Sequence, residues 1–158
     1  MNSCAAIDLA VYNLLGLPEQ FQLLKSQSDM IGSAVDELLR FDSILQCYHT
    51  KAKGNEFELK GRKIVPGQKI YLIVAGANRD PRKFYQPDQL DITRCPNTHL
   101  SFGAGIHYCM GAHLGKIEME VAISTLLERL PKIKLNKQGI VWSDVYTIRN
   151  IKELPVIF

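Results

Sequence analysis

The sequence lacks any apolar run approaching the roughly 18 residues that a bilayer-spanning helix needs. No basic segment precedes the apolar patches of its first twenty residues, and Asp8 interrupts them. Neither a membrane span nor a secretory signal is therefore expected. Four cysteines are present, Cys4, Cys47, Cys95 and Cys109, but no C-x-x-C pair, which argues against a structural zinc site. A chain of 158 residues without secretion signals is also a poor candidate for a disulfide framework. The expected compartment is the reducing cytoplasm, with three of the cysteines serving as small buried hydrophobes. One-sided charge is missing too. Nineteen basic against sixteen acidic residues leave +3, scattered in short clusters such as Lys51/Lys53 and Lys60/Arg62/Lys63, so no nucleic-acid surface is expected. There is no internal repeat or low-complexity tract. What remains, 46% apolar and 22% charged residues, is the composition of one globular domain with a substantial core.

The spacing of apolar residues predicts a helix over 5–17, with Ile7, Leu9, Val11, Leu14 and Leu15 inward and Gly16 as its stop. Pro18 is suited to open a second helix reaching residue 24. A third is predicted over 29–41, with Ile31, Val35, Leu38 and Leu39 inward. The texture then changes: "FELKGRKIVPGQKIYLIVAG" has short β-rich runs broken by Lys-Gly and Pro-Gly, the pattern of a small antiparallel sheet. Residues 79–99 are rich in turn signals and poor in periodicity, and an irregular stretch that long usually has a task. A helix follows over 110–130, with Leu114, Ile117, Val121, Leu127 and Leu130 on a stripe wide enough to predict extensive burial. Pro131 ends it, and the alternating tail predicts a closing pair of strands. The fold class is mainly α with small antiparallel β-sheets (α+β).

One segment carries chemistry. "FGAGIHYCMG", residues 102–111, surrounds Cys109 with Gly103, Gly105 and Gly111 and runs directly into the last long helix. Glycines allow backbone angles closed to other residues and the close approach of a flat ligand. A helix N-terminus, with free N–H groups and about half a positive charge, favours an anion, and a thiolate is one. The loop is thus suited to hold a sulfur anion against something large and planar, with Phe102 packed on the sulfur. Two other features stand apart from it. Glu37 and Arg40 in "ELLR" lie three apart on one helical face, within ion-pair reach, and Arg94 lies in the irregular stretch.

The loop F-x-x-G-x-x-x-C-x-G closely resembles the haem-binding loop of the cytochrome P450 family. "ELLR" is similar to the family's E-x-x-R, and Arg94 stands where the third member of that charge trio is found. "ANRDP" and the ending "LPVIF" also resemble the family, specifically its soluble bacterial and archaeal members, and the likeness runs over residues 14–158. The resemblance implies the C-terminal, haem-loop-bearing part of that fold as a single partial domain over 1–158. It implies haem b as cofactor, with Cys109 as axial iron ligand and catalytic residue. Thiolate ligation pushes electron density onto the iron and favours O–O cleavage, the chemistry of monooxygenation. The remaining cofactor-binding residues it implies are His107, at a propionate-binding position, with Phe102, Gly103 and Gly111. His99 would support the loop, and Glu37, Arg40 and Arg94 would form a paired charge network holding its shape. The implied partners are a small apolar organic substrate, O2, and a ferredoxin- or flavodoxin-type electron donor.

Two departures bear on function. Where the family places a propionate-binding arginine, this chain reads "QCYHTKA", leaving His49, Thr50 or Lys51 in its stead; Lys116 likewise replaces a common arginine. Aligned through "LPEQ", the chain starts where the family carries an acid–alcohol pair over the distal haem face, and Met1, Asn2 and Ser3 occupy that motif's last positions. The apolar faces of the first and last long helices are then expected to be open, calling for a covering partner. Three readings follow: a haem-thiolate monooxygenase, acting alone or with a separate N-terminal half; an inactive haem-binding remnant or half of a split protein; and a thiol enzyme using Cys109 with His107 as base.

Overall fold

A computed structural model describes residues 3–158; Met1 and Asn2, which fall on the acid–alcohol alignment, lie outside the described residues. Helix α1 (Ser3–Gly16) ends at its glycine, and α2 (Pro18–Ser26) starts on its proline. A 3₁₀ turn (Ser28–Met30) leads into α3 (Ile31–Phe41). Strands β1 (Tyr48–Lys51), β2 (Phe57–Leu59), β3 (Arg62–Ile64) and β4 (Lys69–Leu72) precede the single-turn helix α4 (Val74–Ala77). After a long irregular path comes α5 (Ala112–Arg129), then β5 (Lys134–Leu135), β6 (Val141–Trp142), β7 (Ile151–Glu153) and β8 (Val156–Ile157).

The expected β-region divides into two antiparallel ribbons. β2 and β3 form a hairpin whose two-residue turn, Lys60-Gly61, has φ of +49° and +77°, the positive pair that matches strand twist in a type I′ turn. β4 pairs not with β3 but with β1, Tyr48 opposite Leu72 and His49 opposite Tyr71. The tail forms two ribbons as well, β5·β8 and β6·β7.

Helix α1 is the centre of the core and packs on α2, α3, α5 and the C-terminal ribbons. Ala5, Ala6, Leu9, Ala10 and Leu14 are all at most 3% exposed. The open face expected on this helix is thus not found, because its small residues let α3 and α5 close around it. On α5 the outcome reverses. The buried line is Ala112, Gly115, Met119, Ile123 and Leu127, whereas Leu114, Ile117 and Val121 are 61%, 42% and 60% exposed. The predicted extensive burial therefore fails, and a solvent-facing apolar row at i, i+3, i+7 remains.

Asp42, at the C-terminus of α3, anchors the tail. Its Oδ2 accepts from Asn13 Nδ2 at 3.1 Å, and Arg149 Nε lies 2.7 Å from Oδ1, an ion contact without hydrogen-bond alignment. The Arg149 guanidinium stacks 4.1 Å from the Trp142 ring, whose edge meets Tyr12. Burial raises the Asp42 pKa, and Arg149, Asn13 and Arg79 only partly offset this. A carboxyl that holds its proton more tightly when folded makes stability fall as pH rises, from the ordinary value of about 4 up to the raised one. Asp42→Asn is expected to flatten that decline, measured as urea midpoints across the acid range; an unchanged slope would contradict it.

Candidate functional site

The irregular stretch 79–99 delivers one arginine to a buried carboxylate and backbone carbonyls to the arginines paired with it. Glu37 and Arg40 are both wholly buried and pair bidentately, Arg40 Nε to Oε2 at 2.7 Å and Nη2 to Oε1 at 2.9 Å. The rest of the Arg40 guanidinium donates to the carbonyls of Asn78, Pro87 and Gln89. Arg94 Nε donates to both Glu37 oxygens at 3.1 Å, and its Nη1 reaches the Tyr85 carbonyl at 2.7 Å. Asp91 N–H and Asn97 Nδ2 complete the shell at 3.0 Å each. The expected Glu37–Arg40–Arg94 trio is present, and its remaining donors are spent on the chain that leads to Cys109.

A second polar hub escaped the sequence reading. Asn78, in "ANRDP", is fully buried; its Oδ1 accepts from Leu100 N–H at 2.7 Å and its Nδ2 donates to Ser43 and Ser101 Oγ. Ser101 Oγ in turn donates to the Leu39 carbonyl at 2.7 Å. The approach to the cysteine loop is thereby riveted to α3. The only signal in the sequence was the motif itself, since the partners lie 22 to 62 residues away.

The loop then folds back on itself. Cys109 N–H donates to the Phe102 carbonyl at 2.9 Å, and the Cys109 carbonyl accepts from Ala112 N–H as α5 begins. The sulfur-bearing residue is half-buried and packs against the core edge. Phe102 is buried, its ring against His99 and Tyr108. Gly103 and Gly105 have φ of +76° and +64°, as their spacing suggested. Gly111 caps α5 at φ −86° with no atom within 4 Å of an added Cβ, so nothing in the chain itself demands glycine there. Gly103→Ala should accordingly cost about 1–2 kcal/mol for its left-handed backbone, whereas Gly111→Ala should leave the fold's stability unchanged. Urea denaturation of the two variants checks the contrast.

Beside Cys109 lies a cavity of about 740 Å³ with mainly apolar walls. Phe102, Gly103, His107 and Cys109 form one side, and Ile44, Leu45 and Ile148 another. The second wall joins distant segments: Leu45 bridges to Ile148, Gln46 N–H bonds the Thr147 carbonyl, and Arg149 N–H the Ile44 carbonyl. No Asp, Glu, Lys or Arg is among the cavity's lining residues. His107, exposed at the end of a 3₁₀ turn, is the lining imidazole. His49 is not brought to the site. Strand alternation puts Tyr48 and Thr50 on the cavity side of β1, and the His49 ring lies 6.2 Å from that of Tyr71, tilted by 39°, across the pair; Lys51 has the same parity as His49. Of the residues expected to replace the arginine, Thr50 reaches the cavity. Among the remaining cysteines, Cys4 and Cys95 are exposed rather than buried, and Cys47 is half-buried; all four thiols are free.

His99 lies between α3 and the approach to the loop: Ser101 N–H donates to its Nδ1 at 3.2 Å, and its Nε2 lies 3.3 Å from Asp36 Oδ1. Lys116 Nζ contacts the same oxygen at 2.5 Å. Burial pushes the Asp36 pKa up, but the contacts with His99 and Lys116 outweigh it and leave the pKa lowered.

A flat, largely apolar group with a metal at its centre fits this arrangement. The walls are carbon-rich, one thiol stands at the side, and Gly103 presents bare backbone. Among the described residues no three His, Cys, Asp or Glu side chains cluster to hold a metal by themselves; the cavity's lining holds one thiol, Cys109, and one imidazole, His107.

The family model described as Cytochrome P450 matches residues 27–141. The chain is 41% identical over 152 residues to the biotin biosynthesis cytochrome P450 of Bacillus subtilis, covering 96% of this chain and 38% of that protein. It is 35% identical to the vitamin D3 dihydroxylase of Streptomyces griseolus, with coverages of 94% and 37%. The crystal structure of P450BioI in complex with an acyl carrier protein ligated to hexadec-9Z-enoic acid superposes with a TM-score of 0.94 at 40% identity, over 99% of this chain and 40% of that one. The chain thus spans less than two-fifths of the length of the two curated relatives.

Proposed function

The chain belongs to the cytochrome P450 family, and from that premise we propose that it is the haem-loop-bearing part of a monooxygenase in which Cys109 is the protein ligand to the iron of haem b. The observation that supports this most is a half-buried thiol at the start of α5, beside a 740 Å³ cavity with no charged lining side chain and a left-handed glycine on its rim.

Family members bind haem b through a cysteine thiolate, and they are oxidoreductases. When bound, the haem supplies the iron centre at which O2 is activated for insertion into a substrate C–H bond. The protein's part is holding and shielding. Cys109 stands two residues before Gly111, the N-cap of α5. His107 binds a propionate, assisted by Thr50 in place of the usual arginine, while Phe102 and Gly103 bound the macrocycle. The apolar wall of Ile44, Leu45 and Ile148 excludes water and contacts the substrate.

The substrate class is a small apolar organic molecule, including a fatty acyl chain presented on a carrier protein, as in the P450BioI complex. Electrons come from a ferredoxin- or flavodoxin-type donor, and the compartment is cytoplasmic; no described helix is long and apolar enough to cross a membrane. A second reading, half of a split protein or an inactive haem-binding remnant, draws on the exposed Leu114–Ile117–Val121 row, which suits a covering polypeptide. Hemin titration of the isolated chain, followed by reduction and carbon monoxide, tests the proposal. A strongly red-shifted Soret band supports it. A colourless polypeptide, even with a complementary N-terminal half supplied, overturns it.

A further inference from the structure

One of the contacts between α3 and the approach to the cysteine loop runs through an imidazole. Ser101 N–H can only donate, so the His99 Nδ1 that it meets at 3.2 Å must carry a lone pair. A neutral ring then holds its proton on Nε2, which faces Asp36 Oδ1 at 3.3 Å. Both partners select the same tautomer. Protonating Nδ1 would set one donor against another, with no other acceptor in that direction among the contacts of Ser101 N–H. Asp36 is itself fixed by Lys116 at the first turns of α5, and the His99 side chain is only 6% exposed, so the ring has little freedom to swing out.

The same ring buttresses Phe102, with centroids 5.9 Å apart at 47°, and the Phe102 carbonyl takes the Cys109 N–H at 2.9 Å. A continuous path therefore leads from Asp36 through His99 to Ser101 and Phe102, and from Phe102 to Cys109. It shares no residue with the Glu37–Arg40–Arg94 trio, which grips the chain further upstream and meets it at Asn78, bonded to both Arg40 and Ser101. Hydrogen bonds to a charged partner are the stronger kind, and burial pushes the Asp36 pKa up while His99 and Lys116 more than offset it; Asp36 is thus the charged end of the path.

We propose that His99, held in its Nε2–H tautomer between Asp36 and Ser101 N–H, is a positioning residue that fixes the backbone carrying Cys109. It touches neither the cavity nor the sulfur. The haem reading is needed only to say what the positioned sulfur is for; the positioning is measurable without haem.

The test is amide exchange by NMR on the intact, unloaded polypeptide, with ring nitrogens observed in parallel. Wild type should show His99 with its proton on Nε2 and slow exchange at Ser101 and Cys109. His99→Leu removes both polar contacts of the ring and should speed exchange at both amides by about tenfold, the equivalent of one hydrogen bond, with α1 amides unchanged. His99→Asn keeps an acceptor near Ser101 N–H and should recover most of the protection. The inference is overturned if Cys109 exchange is unaffected in His99→Leu, if His99→Asn is no better than Leu, if α1 amides accelerate equally, or if the wild-type ring carries its proton on Nδ1. Hemin titration separately decides the haem reading: a wild-type chain that exchanges as expected but takes up no haem would retain this inference and lose the other.

Discussion

Cys109→Ser, mixed with hemin, reduced and exposed to carbon monoxide, is expected to lose the strongly red-shifted Soret band completely, where the unsubstituted chain shows it. The reason lies in the charge of the ligand. A thiol ionises within reach of neutral pH and is drawn further toward the anion by a metal and a helix N-terminus, whereas a serine hydroxyl in the same place stays protonated. Sulfur is also the softer donor. The fold should hardly notice the change: the residue is half-buried and the side chains are nearly isosteric, so the stability cost should stay within about 1 kcal/mol. Spectrum and stability therefore separate. A variant that unfolds cooperatively like wild type yet has lost the band identifies Cys109 as the ligand. A band that survives transfers the role to another thiol. Cys47 is the half-buried alternative, whereas Cys4 and Cys95 are exposed. Any monooxygenase activity of the assembled protein should fall with the band, essentially to zero.

How far the sequence could be read depended on whether the signal was local. Pro18 and Lys60-Gly61 act through their own backbone angles and Gly16 closes α1, and the helix boundaries and hairpin they mark were legible from local sequence signals. Glu37 and Arg40 lie on one helical face and could be paired by spacing. Arg94, 57 residues further on, could be paired with them only by resemblance. Which side of α5 is covered was not legible. Apolar residues occupy both sides, and the deciding feature is the small pair Ala112 and Gly115, which permits close packing on the buried side. The bulky row that looked like core faces outward. His49 failed for a different reason. Strand alternation has a period of two, so a shift of one residue exchanges His49 for Thr50 at the cavity. The Asn78 hub and the Asp36–His99 contact are polar and mostly long-range, with no periodicity to reveal them.

The largest loss of stability is expected from Glu37→Gln. The carboxylate has six donor contacts at 2.7–3.1 Å: two from Arg40, two from the shared Arg94 Nε, and one each from Asp91 N–H and Asn97 Nδ2. An amide of the same size replaces one of those oxygens with an NH₂ group that points donors at donors. It also removes the only negative charge that, among the described residues, pairs with a wholly buried arginine and with a second one that is 11% exposed. Breaking a buried ion pair from one side costs about 3–5 kcal/mol, because the partner charge stays behind unpaired. A domain is stable by about 5–15 kcal/mol in total, so the variant should be marginal or unfolded at room temperature. Arg94→Lys provides the graded comparison. Lysine retains the charge but not the fork that reaches Glu37 and the Tyr85 carbonyl together, and the site is partly open to water, so the expected loss is nearer 1–2 kcal/mol. Urea denaturation followed by circular dichroism orders the two. If Glu37→Gln unfolds within 1 kcal/mol of wild type, the trio is not what holds the irregular stretch in place, and the shape of the cysteine loop must come from the Asn78 and His99 contacts alone.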